Sequence, residues 1–366
     1  MMPLTVRQYE FTIAGWAVPI SIALGAAYGH FNTPNGDGWG YVQGAIAGAL
    51  ISTGILLLEF TVFRRTRNAL ARRMAFPLYI ALRSFGYLAM ILIGLAASAL
   101  LVQGSAEGGR LIEAGGVIFS LVLSLSFNLL RGVNDLLGQG VLFNFVAGRY
   151  RRPRVEQWVL LFIDMESSTG IAERLGETGF LDFLNRFVAD VTEPIVAQRG
   201  AIHKYVGDEI IVTWPLATGL QDGHCVRACF DALRQLEERA NVYIRDFGLR
   251  ANFRAALHCG PVVVGELGTV KMEIACLGDT INTAARLQQA CRDTGRRVLA
   301  SASLVNRLAT LPSGIAKQSI GRLRLRGKEN EIELYELTAL HQQPVPEERS
   351  QPFSDEEAEL THLTRE

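Results

Sequence analysis

The sequence predicts a two-part chain: an α-helical domain with four membrane spans, followed by an α+β domain of ferredoxin-like type. Three observations carry this. Four long stretches lack any charged side chain, the charge divides unevenly between the halves, and the second half reads as strand, helix, strand, strand, helix, strand. The 366 residues hold 36 basic and 36 acidic side chains. Residues 1–155 carry 13 arginines against 6 acids, and residues 156–366 carry 23 basic against 30 acidic groups, so a net +7 meets a net −7. The second half has no basic excess of the kind nucleic-acid binding needs, and no nucleic-acid partner is expected.

The uncharged stretches are 11–36, 38–58, 84–106 and 114–130, each close to the length of a bilayer crossing. Arg64, Arg65, Arg67, Arg72 and Arg73 crowd the second connection, and Arg149, Arg151, Arg152 and Arg154 follow the fourth stretch. The first connection has no Lys or Arg and the third only Arg110, so the positive-inside bias puts both termini and the second connection in the cytoplasm. Arg7 ahead of an apolar run also resembles a signal peptide, but no clear cleavage box follows. Glu59, Arg83, Arg131 and Asp135 fall near the cytoplasmic ends of the spans. They either form an ion-pair cluster or snorkel to the headgroups. His30 is the only histidine before position 203, so a bis-histidine haem in this domain has no ligands.

Residues 136–146 keep a helical spacing at Leu137, Val141 and Phe145, and Pro153 ends the basic run that follows. The almost wholly apolar run 158–164 reads as a buried strand whose last residue, Asp164, emerges at a site. A helix is expected over 168–198. Two strands, 201–206 and 209–214, are joined by a tight turn at Gly207-Asp208. A helix over 220–247, strands 251–258 and 261–266, and a helix from Asp279 complete the order. The five cysteines, Cys225, Cys229, Cys259, Cys276 and Cys291, form no CxxC pair and read as free thiols. Cys225 and Cys229 could share a helix face as ligands, but without a second pair packing is the better account. His203 and His258 are expected at strand ends as ordinary packing.

Asp164 and Asp208 can meet across adjacent strands. Such a pair suits magnesium, which takes one or two carboxylates together with substrate phosphates. Met165–Gly170 opens a helix with Ser167, Ser168 and Thr169, whose free N–H groups could cradle a triphosphate.

The segments Phe162-Ile-Asp-Met-Glu-Ser-Ser-Thr169, Lys204-Tyr-Val-Gly-Asp-Glu209 and Leu277-Gly-Asp-Thr-Ile-Asn-Thr-Ala-Ala-Arg286 resemble the class III nucleotidyl cyclase catalytic domain. The resemblance covers about 157–340 and extends more loosely to multi-span bacterial adenylyl cyclases. It implies an adenylate cyclase that converts ATP to 3′,5′-cyclic AMP and pyrophosphate, anchored in the inner membrane with a cytoplasmic catalytic domain. It implies two Mg2+ per site, with Mn2+ able to substitute, held by Asp164, Asp208 and the backbone carbonyl of Ile163. By the same resemblance Lys204 reads the purine, Asn282 orients the ribose and Arg286 stabilises the transition state. Arg326, or else Lys328, holds the terminal phosphates. Because the family's metal aspartates face the lysine, asparagine and arginine of a partner domain, a homodimer with shared sites is implied. The chemistry suits these types: negative charge spreads over the phosphoryl oxygens and the leaving group, and a planar, permanently charged guanidinium stabilises it.

Only Lys204, Lys271, Lys317 and Lys328 are lysines, against 32 arginines, so a lysine at position 204 is not generic surface charge. Ala275 departs from the family pattern. Many members carry an aspartate or threonine there, which accepts from the adenine amino group, so ATP preference rests on Lys204. A guanylate cyclase and a catalytically silent receptor remain as alternatives. A diguanylate cyclase lacks support, since the second glycine of its signature is missing from Val206-Gly-Asp-Glu209. The expected organisation is a membrane domain over 1–135, a coupling helix and basic linker over 136–156, a catalytic domain over 157–340, and an acidic, disordered tail over 341–366.

Overall fold

The computed structural model describes residues 6–32, 39–63, 76–103, 114–137, 148–270, 272–324 and 331–340. The arginines at 64–73, Arg110, the helical run expected over 136–146 from residue 138 onward, Lys271, Arg326, Lys328 and the acidic tail lie outside them.

Four helices open the chain: α1 (Val6–Asn32), α2 (Trp39–Leu58, continued by a π-turn at Glu59–Phe63), α3 (Phe76–Gln103) and α4 (Ala114–Leu137). They pack in chain order, α1 on α2, α2 on α3 and α3 on α4. Two segments, Gly40–Val62 and Leu82–Val102, are long and apolar enough to cross a membrane, and α4 holds a shorter apolar segment, Ala114–Ser126. Trp16, Leu57, Phe85 and Leu101 point outward, as suits apolar surroundings. A Cβ added to Gly25, Gly29 or Gly44 would fall 2.0–2.2 Å from a carbonyl oxygen of the facing helix. Such backbone-to-backbone approach holds helices together where lipid removes the hydrophobic drive. At the end of α2 the buried Glu59 accepts from Arg83 Nε at 2.7 Å and from the Tyr87 hydroxyl. Of the four expected charges, Glu59 and Arg83 pair, with Tyr87 joining them; the side chains of Arg131 and Asp135 lie outside the described ones.

The second half builds one eight-stranded mixed sheet. Its first part runs β1 (Arg154–Met165), α5 (Ser168–Ala197), β2 (Ala201–Val206) and β3 (Glu209–Pro215). Then come α6 (Leu216–Leu220), α7 (His224–Glu238), α8 (Ala240–Phe247) and β4 (Phe253–Leu267). β5 (Glu273–Leu277), α9 (Asp279–Thr294), β6 (Val298–Ser301), α10 (Ala302–Val305), β7 (Ile315–Leu323) and β8 (Ile332–Ala339) complete it. The order β2-β3-β1-β4 is the ferredoxin-like arrangement, extended through β6, β8 and β7, with β5 paired to the far end of β4.

β1 is apolar on consecutive residues because both of its faces are covered. Val159, Leu161 and Ile163 pack with Phe183, Phe187 and other residues of α5 and α7, while Leu160 and Phe162 pack against Leu287 and Cys291 of α9.

Three expectations are corrected. The helix expected over 220–247 is broken: Asp222 (φ +51°) and Gly223 (φ +65°) adopt left-handed conformations, as a turn-forming Asp-Gly pair does. The strands expected over 251–258 and 261–266 are one, β4. β6 covers its far edge at Ala255–Leu257 and β5 covers it from Val263, so Pro261 falls on the stretch between, where its missing N–H breaks no pairing. His203 and His258 sit inside strands, not at their ends, and His258 Nδ1 lies 2.7 Å from Ser301 Oγ. The four sequence-distant strands β5 to β8 were not anticipated. The cysteines are free as expected, and burial pushes the Cys225 thiol up to about 12.

Candidate active site

Asp164 is the penultimate residue of β1 and shares a face with Leu160 and Phe162, the face that α9 covers. It is 2% exposed, so it does not emerge into solvent as the sequence suggested. Its register partner on β3 is Glu209, which puts Asp208, in the β2–β3 turn, one residue further along. Burial raises the Glu209 carboxyl above its ordinary value, Asp164 and Asp208 raise it further, and Arg292 opposes them. Three carboxylates therefore converge on this corner.

An arginine that the sequence reading did not single out answers them. Arg292, near the end of α9, places Nε 2.9 Å from Asp164 Oδ2 and bonds Oδ1 through Nη2. Hydrogen bonding to Asp164, with the fields of Asp164, Asp208 and Glu209, raises its pKa. A sequence signal existed: Arg292 borders the buried stripe Ala284, Leu287, Gln288, Cys291 of an amphipathic helix.

Among the described residues no group of three or more His, Cys, Asp and Glu side chains is arranged to hold a metal. The donor set fits a hard dication nonetheless. Asp164 and Asp208 offer oxygen ligands, and phosphate oxygens would complete the shell, the pattern Mg2+ uses in nucleotide sites. Ile163, whose carbonyl was the third expected ligand, immediately precedes Asp164 in β1, with its side chain fully buried.

The chain leaves β1 through Ser167, which takes a left-handed conformation (φ +56°) at the N-cap of α5. A non-glycine residue costs about 1 kcal/mol there, and such strain clusters at ligand sites. Ser168 and Thr169 form the first turn, so their N–H groups open beside the acidic corner.

Asn282 and Arg286 lie on the first half of α9, four residues apart on one face. That end of the helix is pinned to β4 by Thr280 Oγ1, which donates to the Pro261 carbonyl at 2.6 Å. Arg286 precedes Arg292 by six residues, about 9 Å along the helix. The structure therefore brings Arg292, not Arg286, to Asp164 of the same chain.

Lys204 stands on β2 just past a bulge at His203. Its Nζ lies 3.8 Å from Glu273 Oε1 on β5, and His203 Nδ1 lies 4.0 Å from Cys276 Sγ on the same strand. Ala275 is half-buried on β5 between those two contacts, opposite Gly265 of β4.

A family model described as the adenylate and guanylate cyclase catalytic domain matches residues 151–339. Adenylate cyclase 2 of Rhizobium meliloti (strain 1021) is 33% identical over 309 residues, covering 82% of this chain and 85% of that protein. That match is longer than the catalytic domain and takes in part of the helical half. An adenylate cyclase of Anabaena cylindrica is 25% identical over 232 residues, 60% of this chain and 46% of that protein. Among solved structures, a bacterial light-regulated adenylyl cyclase superposes with a TM-score of 0.52 at 19% identity, covering 64% of this chain and 67% of that one, a likeness of fold.

Proposed function

Because the chain belongs to the adenylate and guanylate cyclase catalytic-domain family, we propose that it is a membrane-anchored adenylate cyclase acting as a homodimer. The observation that carries the reading is the acidic corner: buried Asp164 beside the Asp208 turn, at the point where α5 begins. Relatives named adenylate cyclases support ATP as substrate.

In this reading Ser167, Ser168 and Thr169 hold the triphosphate through the first turn of α5. Asp164, Asp208 and the Ile163 carbonyl hold the divalent ions, Mg2+ by the hardness of the donors. When bound, those ions supply Lewis acidity that acidifies the ribose 3′-hydroxyl and neutralises phosphate charge. A bond forms between O3′ and the α-phosphorus, the bond to the pyrophosphate oxygen breaks, pyrophosphate leaves with the electron pair, and the hydroxyl proton passes to solvent. Lys204 orients the purine, Asn282 the ribose, and Arg286 stabilises the charge that develops on the α-phosphoryl oxygens. Arg326, or Lys328, holds the terminal phosphates. The spacing of Arg286 from Arg292 supports a site completed by a partner chain, since Arg286 stands about 1.7 turns of α9 from the arginine that meets its own Asp164.

The two long apolar segments support membrane anchoring. Four spans, a bacterial inner membrane and cytoplasmic termini extend that reading, with 136–156 as the segment through which the membrane domain regulates catalysis. Within it, Tyr150 packs with Val262 and Val264, and its carbonyl accepts from the Glu266 N–H at 3.1 Å, so a push on the linker reaches β4 directly.

The test is cyclic nucleotide formation by the full chain in lipid, from ATP and from GTP with Mg2+. Cyclic AMP is expected from the parent, with losses of about 100-fold or more in Asp164→Asn and in Arg286→Ala. Co-expressing the two variants should restore part of the activity, because one of the two shared sites is then intact. A parent that cyclises neither triphosphate would sink the reading, and failure of the pair to complement would sink the shared site.

A further inference from the structure

β2 and β5 lie on different parts of the sheet, yet two contacts tie them together near the purine-side lysine, and a third braces β2 against β1. Lys204 meets Glu273, His203 meets Cys276, and the Trp158 ring of β1 packs edge-on to His203 at 6.3 Å. Residues 273 and 275 share a face of β5, since side chains alternate along a strand. Ala275 presents only a methyl group on that face. Glu273 presents a carboxylate two positions away, long enough to reach the lysine that Ala275 cannot address.

We infer that Glu273 is the residue that reads the adenine amino group in this chain, acting as a pair with Lys204. The inference rests on the adenylate cyclase reading and deepens it. Adenine offers an acceptor at N1 and a donor at N6, which match the ammonium of Lys204 and the carboxylate of Glu273. Guanine offers the reverse, a donor at N1 facing the ammonium and an acceptor at O6 facing the carboxylate. The pair is thus complementary to one purine and opposed to the other, which is how a specificity site rejects as well as binds. Both side chains are about half exposed, 54% for Lys204 and 44% for Glu273. An ion pair that open contributes little to the fold, so Glu273 can be changed without unfolding the domain.

The experiment measures kcat/KM for ATP and GTP in the full chain in lipid, for the parent, Glu273→Ala, Glu273→Gln and the double variant Glu273→Ala/Ala275→Asp. Glu273→Ala should lower the ATP-over-GTP ratio about tenfold, the scale of one charge-assisted hydrogen bond, and should do so through KM for ATP rather than kcat. Glu273→Gln, whose amide can donate to O6, should move the ratio further toward GTP. Ala275→Asp in the Glu273→Ala background should recover the preference, because it returns a carboxylate to the same strand face, while the role of Glu273 itself is read from the purine ratios of Glu273→Ala and Glu273→Gln. A parent that makes cyclic AMP while Glu273→Ala keeps its purine ratio overturns this inference alone. A parent that makes no cyclic nucleotide overturns the cyclase reading on which it rests.

Discussion

Arg292 grips both oxygens of Asp164, Nε at 2.9 Å from Oδ2 and Nη2 on Oδ1, and so neutralises a carboxylate that is otherwise sealed in the sheet. The arginine is itself more than half exposed, so the grip is firm at the acid and loose at the helix. In the proposed reading, a dication on Asp164 would compete with this guanidinium for the same two oxygens. Arg292→Gln should therefore lower the Mg2+ or Mn2+ concentration for half-maximal activity roughly three- to tenfold, the worth of a partly exposed pair. A metal titration of cyclase activity, supported by Mn2+ binding followed by magnetic resonance, checks this; an unchanged midpoint in both would exclude competition.

The Glu59–Arg83–Tyr87 group joins α2 to α3 at a buried acid. Removing one partner takes away the opposite charge that each faces here, a loss of up to about 3 kcal/mol in buried pairs. Arg83→Gln should lower the thermal midpoint of the detergent-solubilised chain, and Glu59→Arg combined with Arg83→Glu should recover most of it. If the double reversal is no better than either single change, the pair does not hold these helices.

Gly44 meets the Gly25 carbonyl so closely that any side chain must push α1 from α2. Gly44→Val should cost about 1–3 kcal/mol, the range for overpacking. Thermal unfolding of the full chain reads this directly. Gly15→Val, where nothing lies within 4 Å, is the control expected to have little effect.

His203 gives the catalytic half a pH-dependent stability. Burial first, and the Lys204 charge second, lower its pKa below 6.5, with Glu273 opposing, while Trp158 and Cys276 add no charge of the same sign. The unfolded chain then takes up the proton before the folded one does. No stability is lost above pH about 6.5, and it falls as pH drops below that toward the lowered value. His224 shifts the same way, through burial and then Arg199. His203→Asn should flatten part of the decline in thermal midpoint between pH about 7.5 and 5.5; an unaltered slope would assign the decline elsewhere.

Features that depend on neighbours along the chain are legible in the residues alone. The unbroken apolar run of β1 marked a strand covered on both faces, Gly207-Asp208 marked the turn that carries an acid, and Asn282 and Arg286 fell on one helix face by their spacing. The ferredoxin-like order of the first four strands followed from the same short-range signals, and the three motif blocks pointed to the family. What those residues meet depends on how the elements pack. Pro261 interrupts a strand in sequence but not in space, because among the described residues no strand pairs with its far edge at that position. Arg292 is 128 positions from Asp164 and Glu273 is 69 from Lys204, so no local pattern pairs them. The sheet brings each pair together because the strands and helix that carry them must bury their apolar faces on one core, and side-chain partners at its rim are a consequence of that packing.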